Sequence, residues 1–113
     1  YDYWSDKLKR SVLLDSGADV ISYGMGEHSI VELAEALDAG IPVEDITYIA
    51  GTVVKTKSLD SIYDAEILPS FEDLKADKMN YARSFYTQYL NTDAFNGKRL
   101  VCAYYPGSSL VFL

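Results

Sequence analysis

The chain has one cysteine, Cys102, and one histidine, His28, among its 113 residues. A single thiol cannot close a disulfide within the chain, so the fold must rest on its apolar core, and the cytoplasm is the expected compartment. With one histidine, any Ser-His-Asp or Cys-His arrangement would have to be built on His28 alone. A zinc site would have to join that residue to the distant Cys102, and no other pattern of metal ligands is present. No apolar run approaches the length of a membrane span, and no signal peptide is read in these residues. Positive charge is also short: a formal net charge of −7 argues against nucleic-acid binding and against docking on anionic lipid. The chain opens on Tyr1 rather than methionine, which suggests a piece of a longer polypeptide.

What is present is centred on the run Ala18-Asp19-Val20-Ile21-Ser22-Tyr23-Gly24-Met25-Gly26-Glu27-His28-Ser29-Ile30. Val20 and Ile21 suit the start of a strand covered on both faces. Gly24 and Gly26 allow a sharp turn and close backbone approach. Glu27 falls in the first turn of the following helix, where the dipole favours negative charge. Strand, glycine turn and helix N-terminus together offer free N–H groups of the kind that receive an anion or nucleotide in open α/β sheets. Gly24, Gly26, Glu27 and His28 are therefore the candidate binding residues. The dinucleotide fingerprint is not completed, since Ile30 follows where no third glycine stands, and no P-loop Gly-Lys-Ser/Thr is found. A tight strand-to-helix connection that binds nothing is the plainer reading of the same residues.

In chain order, residues 5–16 read as a helix capped by Ser5 and stopped by Gly17, with Leu8, Val12 and Leu13 inward and Lys7, Lys9 and Arg10 in water. A strand over residues 18–23 follows. Ile30, Leu33, Ala34 and Leu37 recur at i, i+3, i+4 and i+7, which predicts an amphipathic helix closed by Gly40 and Pro42. Residues 46–54 read as a second strand interrupted at Gly51. Residues 58–69 read as an ordered connector pinned by Ile62, Tyr63, Ile67 and Leu68. Ser70 and Asp73 form a capping-box pattern that opens a long helix over residues 71–92. Its aromatic stripe, including Phe71, Tyr81, Phe85 and Tyr89, reads as core, with an interaction surface as the alternative. Asn96-Gly97 and Pro106-Gly107-Ser108 mark turns around strands over 98–105 and 110–113 that can pair as a hairpin. Cys102 reads as a small apolar strand residue. The carboxylates are spread over solvent faces, with no acid–base pair.

The segments Asp2-Tyr3-Trp4-Ser5-Asp6, Ala18-Asp19 through Tyr23-Gly24-Met25-Gly26-Glu27, and Leu68-Pro69-Ser70-Phe71 with Lys75-Ala76-Asp77-Lys78 resemble the YgiQ-type radical SAM proteins, in the region ahead of their barrel. The resemblance covers residues 1 to about 101. More distantly, the glycine run is similar to the end of cobalamin-binding-like domains. The implied fold is α/β, a partial Rossmann-like or flavodoxin-like layered sheet with helices, followed by a long helix and a short terminal hairpin. Residues 1–57 would form the Rossmann-like segment and 58–113 the connector, helix and terminal strands of the same domain. The resemblance also implies a [4Fe–4S] cluster and S-adenosylmethionine for the full-length protein, and a radical SAM barrel downstream as partner. The family's Cys-x-x-x-Cys-x-x-Cys motif is missing here, and Cys102 alone cannot hold a cluster.

Three functions follow as expectations. The first is a non-catalytic accessory segment of a radical SAM protein. The second is a module binding a nucleotide or cobalamin-like group at Gly24 to His28. The third is an interaction or assembly domain that uses the Tyr-rich helix of residues 71–92 and the apolar C-terminus, with self-association as one form of it.

Overall fold

A computed structural model describes every residue except Ser61, Ala94, Pro106, Gly107 and Leu113. The first helix is shorter than the sequence predicts: α1 spans Val12–Ser16, and its cap is Ser11, whose hydroxyl accepts from the Leu13 amide at 3.3 Å. Ser5 caps no helix, because residues 3–6 form a turn instead, in which its hydroxyl donates to Asp2. Asp2 and Lys7 exchange backbone hydrogen bonds across a tight turn, and Asp6 takes a left-handed φ of 51°. That local ring competes with helix over residues 2–7. Val12 accordingly faces water, while Leu13 is fully buried.

β1 is Val20–Ser22 and α2 is Glu27–Asp38. Helix α2 ends in a Schellman arrangement, with the Gly40 amide donating to Leu37 O and the Ile41 amide to Ala36 O. Its inward face is not the predicted stripe. Ser29 and Ala36 are buried and Leu33 half-buried, whereas Ile30, Ala34 and Leu37 are exposed. Ala36 and Leu33 pack on Ile41, Ile46 and Ile49, which belong to a loop containing a short 3₁₀ turn, Val43–Asp45. The second strand is therefore displaced: β2 is Thr52–Thr56, and the predicted start at Ile46 supplies loop anchors instead.

A short strand β3, Ala65–Ile67, lies inside the predicted connector, where Leu68 is buried but Tyr63 and Ile67 face solvent. The capping box at Ser70 is present, with the Asp73 amide donating to Ser70 Oγ and the Ser70 amide to Asp73 Oδ2. The long helix is two: α3, Phe71–Ala76, and α4, Lys78–Leu90. Asp77, extended at φ −148° and ψ 124°, ends the first and caps the second. The expected aromatic core stripe of α4 is also corrected: Ser84 is its one buried residue among those described, and Phe85 and Tyr89 are exposed. Asn80, Ser84, Thr87 and Asn91 turn inward in their place.

β4 is Arg99–Tyr105 and β5 is Ser108–Phe112, paired antiparallel as a hairpin. The predicted turn at Pro106-Gly107 lies outside the described residues. The sheet runs β1-β2-β5-β4-β3. Helices and an open sheet make the α/β class expected from the sequence. The register adds the strand sense: β1/β2, β2/β5 and β5/β4 are antiparallel, and β3/β4 alone is parallel. Both faces of the sheet carry core. Val53 and Leu110 meet Leu13 of α1 on one side, and Val54, Val101 and Val111 cluster with Ile62 and Ala65 on the other. Phe71 of α3 stacks on Tyr104 of β4 at 5.4 Å, fastening the helical arm to the sheet.

Candidate functional site

The glycine turn is closed by its own hydroxyls. Gly24 has φ +70° in open space, a conformation that L side chains rarely adopt. Gly26 differs: its backbone is unremarkable, but a Cβ there would lie 2.5 Å from Ser22 Oγ. Ser22 Oγ and Ser29 Oγ are 2.6 Å apart, and Ser29 Oγ donates to Gly26 O at 3.1 Å. Ser22 is then the donor to Ser29, and the chain of two hydrogen bonds ties the end of β1 to the first turn of α2. The Tyr23 amide donates to Gly51 O at 2.9 Å, continuing the β1/β2 ladder past Ser22. Both glycines thus have a structural reason in the fold. Glu27 and His28 lie exposed in the first turn of α2.

A cleft of about 740 Å³ opens nearby, lined by Tyr23, Tyr48 and Gly51 on one wall and by Asn91, Asp93 and Lys98 on the other. Of the predicted site residues, neither the two glycines nor Glu27 nor His28 lines it. This hollow has no signal in the sequence, because its walls come from stretches more than 35 residues apart that meet only in the folded chain. Lys98 is held at its rim by Glu66 at 3.1 Å and Asp64 at 3.9 Å, and hydrogen bonding to Glu66 raises its pKa. Asp93 is lowered by the amides of Phe95 and Asn96 that point at it. The charged groups of the cleft are therefore already engaged.

Cys102 sits in β4, buried, with its thiol donating to Pro69 O at 3.5 Å. Burial pushes its pKa up, which favours the inert thiol over the thiolate. No group of three or more His, Cys, Asp or Glu that could hold a metal occurs among the described residues. An iron–sulfur cluster needs several thiolates, so the residues present do not fit one. No described helix is long and apolar enough to cross a membrane.

Fold and site together define a small mixed α/β domain whose glycine turn is knitted by serine hydroxyls. The chain belongs to the radical SAM N-terminal family, which it matches over residues 1–111, and within it to the YgiQ/UPF0313 type. The match takes in β5, beyond the limit near residue 101 drawn from the motifs alone. It is 47% identical over 102 residues to a UPF0313 protein of Clostridium perfringens, covering 89% of this chain and 15% of that one. A UPF0313 protein of Methanocella arvoryzae is 43% identical over 101 residues, with 89% and 17% covered, and one of Clostridium botulinum is 40% identical, with 89% and 16% covered. The chain thus spans about a sixth of the length of the curated relatives it matches. No solved structure matches it.

Proposed function

We propose that this chain is a non-catalytic accessory segment at the N-terminal side of a radical SAM protein of the cytoplasm. The [4Fe–4S] cluster, S-adenosylmethionine and reaction then belong to a barrel further along the same polypeptide. The observation that carries the reading is the family match over residues 1–111 in a chain whose single thiol is buried in a strand. The segment's contribution is then scaffold and contact, and residues 1–57 and 58–113 act as one unit through their shared sheet.

The test is the complete polypeptide, reconstituted with iron and sulfide and read by its cluster absorption. Cys102→Ala is expected to leave the cluster spectrum and S-adenosylmethionine binding unchanged. Loss of the cluster in that variant would overturn the reading.

A further inference from the structure

Helix α4 is built the wrong way round for a surface helix. Its inward positions Asn80, Ser84, Thr87 and Asn91 recur at i, i+4, i+7 and i+11, and all are polar. Their hydrogen bonds are satisfied locally: the Asn80 amide donates to Asp73 O, Gln88 to Ser84 Oγ, and Asn91 to Thr87 O. The opposite arc carries Tyr81, Phe85, Tyr86, Tyr89 and Leu90. Phe85, Tyr86 and Tyr89 are 64%, 62% and 65% exposed, against 3% for Ser84. An ordinary surface helix shows the reverse pattern. Thirteen residues form a helix that is marginal in water without tertiary packing, and the main neighbour of α4 is the six-residue α3. A contiguous aromatic face of this kind marks an interaction site.

Charge selects the occupant. α4 carries Lys78 and Arg83 and no carboxylate, in a chain of net charge −7. Neither cation makes an ion pair among the described residues. Two copies meeting face to face through α4 would bring four like charges together. An anionic bilayer would attract α4 but repel the chain that bears it. A groove with an apolar floor and carboxylates at its rim satisfies both features of the helix.

We propose that the outward face of α4 docks into such a groove on the remainder of the polypeptide, which in this family's relatives is more than four-fifths of the chain. The proposal rests on the reading of this segment as one part of a longer radical SAM protein. Phe85 and Tyr89 are the anchors, and Lys78 and Arg83 orient them.

The experiment uses the complete polypeptide with a protease site placed after residue 113. After cleavage, co-elution of the two parts is followed by gel filtration, and cluster absorption is recorded on the larger part. The cleaved wild type should stay together, and Phe85→Glu/Tyr89→Glu should weaken the association by roughly a hundredfold or more, as losing two aromatic anchors does. Trp4→Glu, at an exposed aromatic elsewhere, should leave it intact. Retention of both parts in the double variant would overturn the α4 assignment and leave the accessory reading standing. Separation of the wild-type parts, with a cluster still assembled on the larger one, would do the same. A larger part that assembles no cluster would overturn both. An uncut wild-type dimer that the double variant splits, or binding to phosphatidylserine vesicles that it abolishes, would assign the face to a second copy or to a membrane and overturn the proposal.

Discussion

At Gly26 a methyl group would stand 2.5 Å from the Ser22 hydroxyl oxygen, while at Gly24 it would meet open space under a φ of +70°. The two glycines therefore fail differently on substitution. Gly26→Ala is expected to destabilise by about 0.5–1.5 kcal/mol, because the Ser22 hydroxyl must turn aside from the added methyl and give up its hydrogen bond to Ser29. Adding Ser22→Ala removes the clashing oxygen and should recover part of that loss, measured by urea denaturation of all three variants. Gly24→Ala should lose stability through backbone strain, and Ser22→Ala should restore none of it. A ligand-binding role for Gly26 alone would leave stability untouched and give no rescue. The turn at Gly24 is legible in the sequence because no other residue takes its positive φ so readily, whereas the reason for Gly26, the nearby Ser22 hydroxyl, is not. The Ser22–Ser29 pair is not legible, since seven residues separate two hydroxyls that meet only after the turn has formed. Cys102 reads correctly as an apolar strand residue because its neighbours Leu100 and Val101 already have strand character, and nothing near it in sequence offers a second thiol.

Among the elements, the break between α3 and α4 is set by one residue. Asp77 is extended, donates its amide to Asp73 O, and accepts from the Met79 amide at 2.8 Å through Oδ1. Asp77→Ala removes the α4 cap and should cost about 1 kcal/mol. A lower midpoint at unchanged denaturant slope would show that loss of stability, whereas an unchanged midpoint would show that the cap contributes nothing. The sequence hides this break because aspartate is tolerated within helices and the aromatic spacing runs straight through it. The capping box at Ser70 and the end of α2 are legible, being fixed by local backbone chemistry. β3 is not, because three residues show no period. The displacement of β2 has the same kind of cause: Ile46 and Ile49 are apolar for the sake of α2, and strand and loop anchors look alike at that length. The aromatic face of α4 misleads in the opposite direction. Periodicity reports that a helix has an apolar side, and it is silent on whether that side meets the same domain or another.

In the molecule as a whole, the strand latest in sequence is central in the sheet. β5 lies between β2 and β4, with Leu110 and Val111 essentially inaccessible, and it alone bridges the β1/β2 pair to β3/β4. Side-chain alternation assigns residues to faces but does not order or orient strands, so this placement is invisible until the register is known. Its consequence is an asymmetry between the two ends of the chain. Deleting residues 1–7 removes an exposed turn and the Lys9–Asp2 ion pair at 2.7 Å, an interaction between accessible groups that solvent screens. Deleting residues 106–113 removes the ladder on both sides of β5 and opens the two apolar clusters to which Leu110 and Val111 belong. Each buried aliphatic lost in this way costs about 2–5 kcal/mol, and two of them match the whole stability of a small domain. The N-terminal deletion should keep a cooperative thermal transition in circular dichroism, and the C-terminal deletion should abolish it. A cooperative transition surviving the loss of β5 would mean that β1, α2 and β2 hold together without the rest of the sheet, and the two halves of the chain would then be separable units.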